Sequence, residues 1–216
     1  MGKMIKRSEF IMKVMLVNGS PHEKGCTYTA LCEVAKALNA ESIETEIFWV
    51  GKAPIGGCWG CGACRKTGKC VQTDTVNEFV EKAKDCDGFV FGSPVHYAAV
   101  SGALTSFMDR AFYSGSGVLR FKPAAGIVSC RRGGASASFD QINKYFTIAN
   151  MPIASANYWN QVHGNTPEEV AQDLEGLQNM RVVGYNLAWL LKCIELGKAS
   201  GVTPTTEEKI RTNFIR

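Results

Sequence analysis

The chain of 216 residues contains no window of eighteen uninterrupted apolar residues, so the pattern argues against a membrane-spanning helix. Its first twelve residues, MGKMIKRSEFIM, carry charges and lack an apolar export segment ahead of a small-residue cleavage site. They read as an irregular lead-in to the first strand, and a cytoplasmic location is expected. Neither sign of charge dominates: 24 basic and 20 acidic residues give a net charge of +4. They are scattered, which argues against a nucleic-acid track; only Arg131-Arg132 and Arg65-Lys66 with Lys69 are locally basic, as a small anionic ligand would require. Internal repeats, low-complexity tracts and linkers are missing, so 1–216 reads as a single domain. The Walker pattern and the G-x-G-x-x-G dinucleotide fingerprint are also missing.

Hydrophobic residues at 45% supply one core and exclude a disordered chain or a small disulfide-stapled scaffold. The nine cysteines are odd in number and four are clustered, the usage expected of reduced thiols. Apolar runs at KVMLVNGS (13–20), GFVFGSP (88–94) and AAGIVSC (124–130) predict buried parallel strands, with ETEIFWV (44–50) and a short segment near 151–155 completing five. Helices are predicted from Thr27 to about Ala40, from Asp74 as cap to Lys84, from Gly102 to Phe112, and around 136–149. A glycine-serine turn is expected at 114–117. Thr166-Pro167-Glu168-Glu169 reads as a capping box opening a long helix bent at Gly184. The cysteine loop, 51–72, shows no period. Alternation of this kind predicts a five-stranded parallel sheet with helices on both faces, followed by a long C-terminal helical region.

Ligands of such sheets bind beyond the carboxyl ends of the strands, near the reversal of strand order. Three strand ends share glycine and serine: NGSPHEKGCT (18–27), GSPVHYAAVSG (92–102) and SCRRGGASAS (129–138). The first leads into a helix, where free N–H groups and the hydroxyls of Ser20 and Thr27 suit a phosphate monoester. An ordinary βα turn uses the same residue types, so both readings stand. In the second, Gly92 and Pro94 permit a close turn, and His96 and Tyr97 could flank a flat ring or merely cover the sheet edge. In the third, Gly133, Gly134 and two arginines could steady a polar ligand edge or lie in solvent.

The segment GGCWGCGACRKTGKC (56–70) spaces Cys58, Cys61, Cys64 and Cys70 as C-x2-C-x2-C-x5-C. Four soft thiolates suit a [4Fe-4S] centre. They also suit zinc, and a metal-free thiol loop is the third reading. The pair Cys26 and His22 offers a hydrolase alternative, with Cys26 as a low-pKa thiol at a helix start.

The three loops and the cysteine segment resemble the NAD(P)H-dependent FMN reductase and iron-sulfur flavoprotein families over roughly 13–197. That resemblance implies a flavodoxin-like three-layer α/β sandwich and an FMN-dependent oxidoreductase passing electrons from NAD(P)H to a flavin, a quinone-like compound or an iron-sulfur centre. A flavodoxin-like electron carrier between protein partners, with no nicotinamide chemistry, is the alternative. By the same resemblance Ser20, His22, Gly25, Cys26 and Thr27 surround the FMN phosphate. Cys26 stands where the family often has asparagine. Ser93, Pro94, Val95, His96 and Tyr97 approach the ring and ribityl chain, with His96 where tyrosine is commoner, and Ser129, Arg131, Gly133 and Gly134 complete the pocket. Cys58, Cys61, Cys64 and Cys70 match the cluster ligands, Asp109-Arg110 looks like the family's helix-ending pair, structural or at an interface rather than chemical, and a homodimer or homotetramer is implied. No catalytic acid or base is assigned. The stretch ASANYWNQVHG (154–164) is expected to cover the flavin or pack in the core.

Overall fold

The computed structural model describes residues 12–212 and 214, so all but Met12 of the expected lead-in lies outside the described residues. The described residues form six strands: β1 (Lys13–Asn18), β2 (Glu44–Trp49), β3 (Gly88–His96), β4 (Ala99–Val100), β5 (Ala124–Cys130) and β6 (Gln161–His163). Five of them run parallel in the order β2-β1-β3-β5-β6, and β4 turns back antiparallel on β3. The order reverses between β1 and β3; β1 ends at Asn18 opposite Gly92, and β3 continues beyond it to His96. A crevice therefore opens at their carboxyl ends.

Successive strand residues face opposite sides. On β1, Val14 and Leu16 pack with α1 (Cys26–Ala40) and α8 (Leu174–Ala199) through Leu31, Val34, Val183 and Leu187. Met15 and Val17 join the other layer, under α3 (Thr75–Lys82), α4 (Gly102–Ser114) and α6 (Ala135–Ile148). Phe79 there meets the rings of Phe48, Phe89, Phe91 and Phe107 at centroid distances of 5.1–5.9 Å. Among the described residues no helix is long and apolar enough to cross a membrane.

Four local expectations are corrected. The fifth parallel strand is 161–163; residues near 151–155 make only an isolated bridge, Ile153 to Ala124. The chain leaves the sheet after Ala154 and rejoins at Asn160, whose buried carboxamide donates to Gly126 O at 3.0 Å and Ala154 O at 3.4 Å and spans the gap. The cysteine loop contains one helical turn, α2 (Cys64–Thr67), closed by Gly68 at φ +70°. The turn expected at 114–117 is mostly a short helix, α5 (Ser116–Leu119). The capping box opens only α7 (Pro167–Val170), after which Asp173 caps α8 anew by accepting from Gly176 N at 2.9 Å.

Gly184 does not interrupt α8, which is continuous over 26 residues. It lets the helix approach α1: a Cβ there would lie 2.6 Å from Ala37 Cβ and 2.8 Å from Val34 O. Alanine would gain about 1 kcal/mol in helix propensity, but overpacking two helices costs about 1–3 kcal/mol. Gly184→Ala is thus expected to lower stability despite its better propensity, as read from urea denaturation midpoints.

Candidate functional site

The three glycine- and serine-rich loops are joined into one edge. Gly19 N–H donates to Gly92 O at 2.9 Å. The Ser101 hydroxyl donates to Gly19 O at 2.8 Å, and Ser101 N–H donates to Ser93 Oγ at 3.0 Å. As the residue that also caps α4, Ser101 ties the first loop to the second. The first and third loops meet at Thr27 Oγ1 and Ser129 Oγ, 2.8 Å apart. A Cβ on Gly134 would stand 2.5 Å from Ala98 Cα, so the second and third loops are also in contact.

The first loop takes its shape from Asn18, buried at the end of β1. Its carboxamide donates to Glu23 O at 2.9 Å and accepts from Ser20 N at 3.1 Å. Ser20 Oγ accepts from His22 N at 3.1 Å, and Trp49 Nε1 donates to Ser20 O at 2.8 Å. The following helix, α1, begins at Gly25 with no side-chain cap and no acidic residue in its first turn. Its leading N–H groups therefore lack a side-chain acceptor, and the helix dipole adds positive potential there. An open groove lies against this end, lined by Lys24, Lys52, Asn165 and Thr166 among others. Uncapped donors with two lysines are a fitting seat for a phosphate monoester.

The second loop is a two-residue hairpin between β3 and β4, with His96 opposite Ala99. Tyr97 and Ala98 have φ of +51° and +58°, the left-handed pair such a turn demands, usually met by Asn or Gly. Each residue so held costs about 1–3 kcal/mol. The backbone is held in this strained form while Tyr97 projects its ring fully into solvent.

The proposed site residues fall into two groups. Ser20, Thr27, Ser93 and Ser129 are buried, with hydroxyls engaged inside the protein. His22, His96, Tyr97, Arg131 and Gly133 are exposed on the loops, while Gly25, Cys26, Pro94, Val95 and Gly134 are half-buried. Burial pushes the Cys26 thiol pKa up, with Glu169 and Glu168 adding to the rise, and its Sγ donates weakly to Gly164 O at 3.8 Å. The stretch 154–164 supplies β6 at its end, and ahead of it Tyr158 and Trp159 are half-exposed and pack on each other at 4.7 Å.

The four clustered cysteines stand apart from this edge and share a second cavity with Trp59, Arg110 and Tyr113. Along α4, the nine-residue step from Ser101 to Arg110 corresponds to about 13 Å at 1.5 Å per residue. Cys58 and Cys61 are exposed, Cys64 and Cys70 half-buried. Gly60, Gly62 and Gly68 take φ of +65°, +71° and +70°, turning the chain tightly around the cavity. Donor type and common cavity suit an iron-sulfur centre or zinc. Yet among the described residues no three His, Cys, Asp or Glu side chains stand close enough to hold a metal ion, so the loop must contract for all four sulfurs to ligate.

Sequence reasoning missed two anchors. Ser101 had the signal of a helix-capping serine before Gly102. Arg110, read as part of a helix-ending pair that is structural or at an interface, is the main tie of the cysteine loop, and the charged pair Asp109-Arg110 inside apolar FMDRAF (107–112) was its signal. Its guanidinium pairs with both Asp74 oxygens at 2.5 and 2.9 Å and donates to Gly56 O, Gln72 O and Cys70 Sγ.

Comparison with known proteins agrees with this geometry. The sequence model of the family described as NADPH-dependent FMN reductase matches residues 12–166. An iron-sulfur flavoprotein of Methanocaldococcus jannaschii is 33% identical over 192 residues, covering 85% of this chain and all of the relative. Among solved structures, RosB with a bound 8-demethyl-8-formylriboflavin-5'-phosphate intermediate aligns with a TM-score of 0.66 at 14% identity, covering 95% of this chain and 92% of that one. A flavodoxin from the domain Archaea aligns at 0.58 and 13% identity, over 84% and 99%. At such identities the structures speak for the flavodoxin-like fold alone.

The contact between the second and third loops generates a prediction. Gly134 sits at φ +91°, where a side chain costs about 1–2 kcal/mol, and displacing Ala98 adds about 1–3 kcal/mol. Gly134→Ala should lower unfolding free energy by roughly 2–5 kcal/mol in urea titrations, far beyond an exposed-loop substitution.

Proposed function

The chain belongs to the NADPH-dependent FMN reductase family, and on that premise we propose that it takes electrons from NAD(P)H onto FMN seated at the carboxyl edge of the sheet and passes them to an acceptor. The observation that carries this reading is the uncapped start of α1, beside Lys24 and Lys52, joined to two loops suited to a flat ring. FMN, when bound, supplies the redox chemistry, accepting a hydride's two electrons and releasing them together or singly.

The protein's own part is binding and orientation. The segment from Ser20 through His22, Gly25 and Cys26 to Thr27 would enclose the phosphate, where several N–H donors act on one anion. Ser93, Pro94, Val95, His96 and Tyr97 would support the ring and ribityl chain. The strained turn holds Tyr97 out, so that the ring stays open for a nicotinamide to approach. Ser129, Arg131, Gly133 and Gly134 would close the far side, with Arg131 adding positive charge on the rim. No side chain is assigned as a catalytic acid or base.

Cys58, Cys61, Cys64 and Cys70 are proposed as ligands of a [4Fe-4S] centre, favoured over zinc by the iron-sulfur flavoproteins among the relatives. Such a centre would accept single electrons and hand them on. A carrier role between protein partners, without direct NAD(P)H oxidation, is the second reading; the exposed Trp59 and Tyr113 at the thiol cavity favour it. Rapid mixing separates the two: fast bleaching of bound FMN by NAD(P)H is expected of the reductase, and no bleaching would favour the carrier. A cytoplasmic homodimer or homotetramer completes the proposal, with exposed Tyr185 and Trp189 on α8 as candidate contacts.

Two further outcomes are expected. Ser20 and Thr27 shape the loop through their internal hydrogen bonds, and leaving a buried partner unpaired costs about 1–3 kcal/mol, so Thr27→Ala and Ser20→Ala should each raise the FMN dissociation constant about tenfold by displacing the N–H groups that hold the phosphate. Unchanged affinity in both would reject the phosphate assignment. Anaerobic reconstitution should load about four irons per chain, counted with labile sulfide; negligible iron would remove the centre.

A further inference from the structure

Arg110 has no part in the function proposed above, yet it is the most completely engaged side chain near the thiol cavity. It is 1% exposed. An arginine has five N–H donors, and each is matched here: two to the Asp74 carboxylate, one each to Gly56 O and Gln72 O, and Nε–H to Cys70 Sγ at 3.2 Å. Cys70 is held at its backbone as well. Its N–H donates to Asn77 Oδ1 at 2.9 Å, and its carbonyl accepts from Asn77 Nδ2 at 2.9 Å. Cys58 and Cys61, by contrast, are exposed. The four thiols thus divide into Cys70, held at both sulfur and backbone by side chains, Cys64, half-buried on α2, and the exposed pair Cys58 and Cys61.

Resting on the four-cysteine centre proposed above, we propose that Arg110 is its positioning residue, fixing Cys70 as the ligand around which the loop closes and raising the centre's reduction potential through the Nε–H···Sγ bond. A donor on a ligating sulfur draws electron density from it and favours the more negative, reduced state of the centre. Asp74 balances the guanidinium charge, so the effect is local to the sulfur that receives the hydrogen bond. A purely structural arginine would hold the loop equally well and leave the potential unmoved.

The test uses the full-length protein, anaerobically reconstituted with iron and sulfide. Arg110→Lys keeps a cation for Asp74 but has no stem N–H for Cys70. It is expected to keep iron and FMN, to shift the centre's midpoint to more negative potential, and to leave the flavin couple in place. In wild-type protein labelled with 15N-arginine, pulsed electron paramagnetic resonance of the reduced centre should show a 15N coupling. An unmoved potential in an iron-loaded Arg110→Lys protein overturns the proposal, as does absence of the 15N coupling in wild type. If the variant fails to fold or load iron, the labelled wild type decides alone. Wild-type protein that takes up no iron would sink the iron-sulfur reading and this inference together, whereas iron with an unmoved potential would sink only this one.

Discussion

The Ser101 side chain and backbone hold the carboxyl edge together. Its hydroxyl donates to the start of the first loop, at Gly19 O, and its N–H donates to Ser93 in the second. Because Ser101 also caps α4, that helix becomes a rod with a polar anchor near each end. Its start fixes the loops of the candidate flavin groove, and its guanidinium nine residues on fixes the cysteine loop. Both anchors are buried, where an unmade hydrogen bond costs about 1–3 kcal/mol, so neither loop can drift without a penalty.

The two regions present different chemistry. At the groove, the protein offers hard donors, N–H groups and lysines, over buried hydroxyls that bond to backbone groups and, at Thr27 and Ser129, to each other. At the thiol cavity it offers soft sulfur on a glycine-rich turn with an arginine behind it. The first suits a phosphate-bearing ring and the second a soft metal centre. Family membership makes the chain an FMN-binding oxidoreductase or electron-transfer protein, and the proposed roles of the two regions follow this division of chemistry.

Much of the fold was legible because buried parallel strands are continuous apolar runs. KVMLVN and AAGIVSC were found nearly to the residue. The fifth strand was misplaced because its pairing is split: apolar MPIAS resembles a strand, while the true one, Gln161–His163, is short and polar and is joined through the Asn160 side chain. The Tyr97-Ala98 turn lacks the Asn or Gly that announces left-handed backbone. Arg110 was undervalued because its partners lie 36 to 54 positions earlier, a separation no local pattern exposes. The two clusters of candidate residues were visible as composition; the ties among them appear only after folding.

Phosphate recognition at the start of α1 is the claim on which the functional account stands, and comparing FMN with riboflavin tests it directly. The two ligands differ by the phosphate that the uncapped helix end would receive. Titrating flavin-free protein with each should give FMN at least about 100-fold the affinity of riboflavin, about 2.7 kcal/mol from charge-assisted hydrogen bonds. Equal affinities would contradict the account.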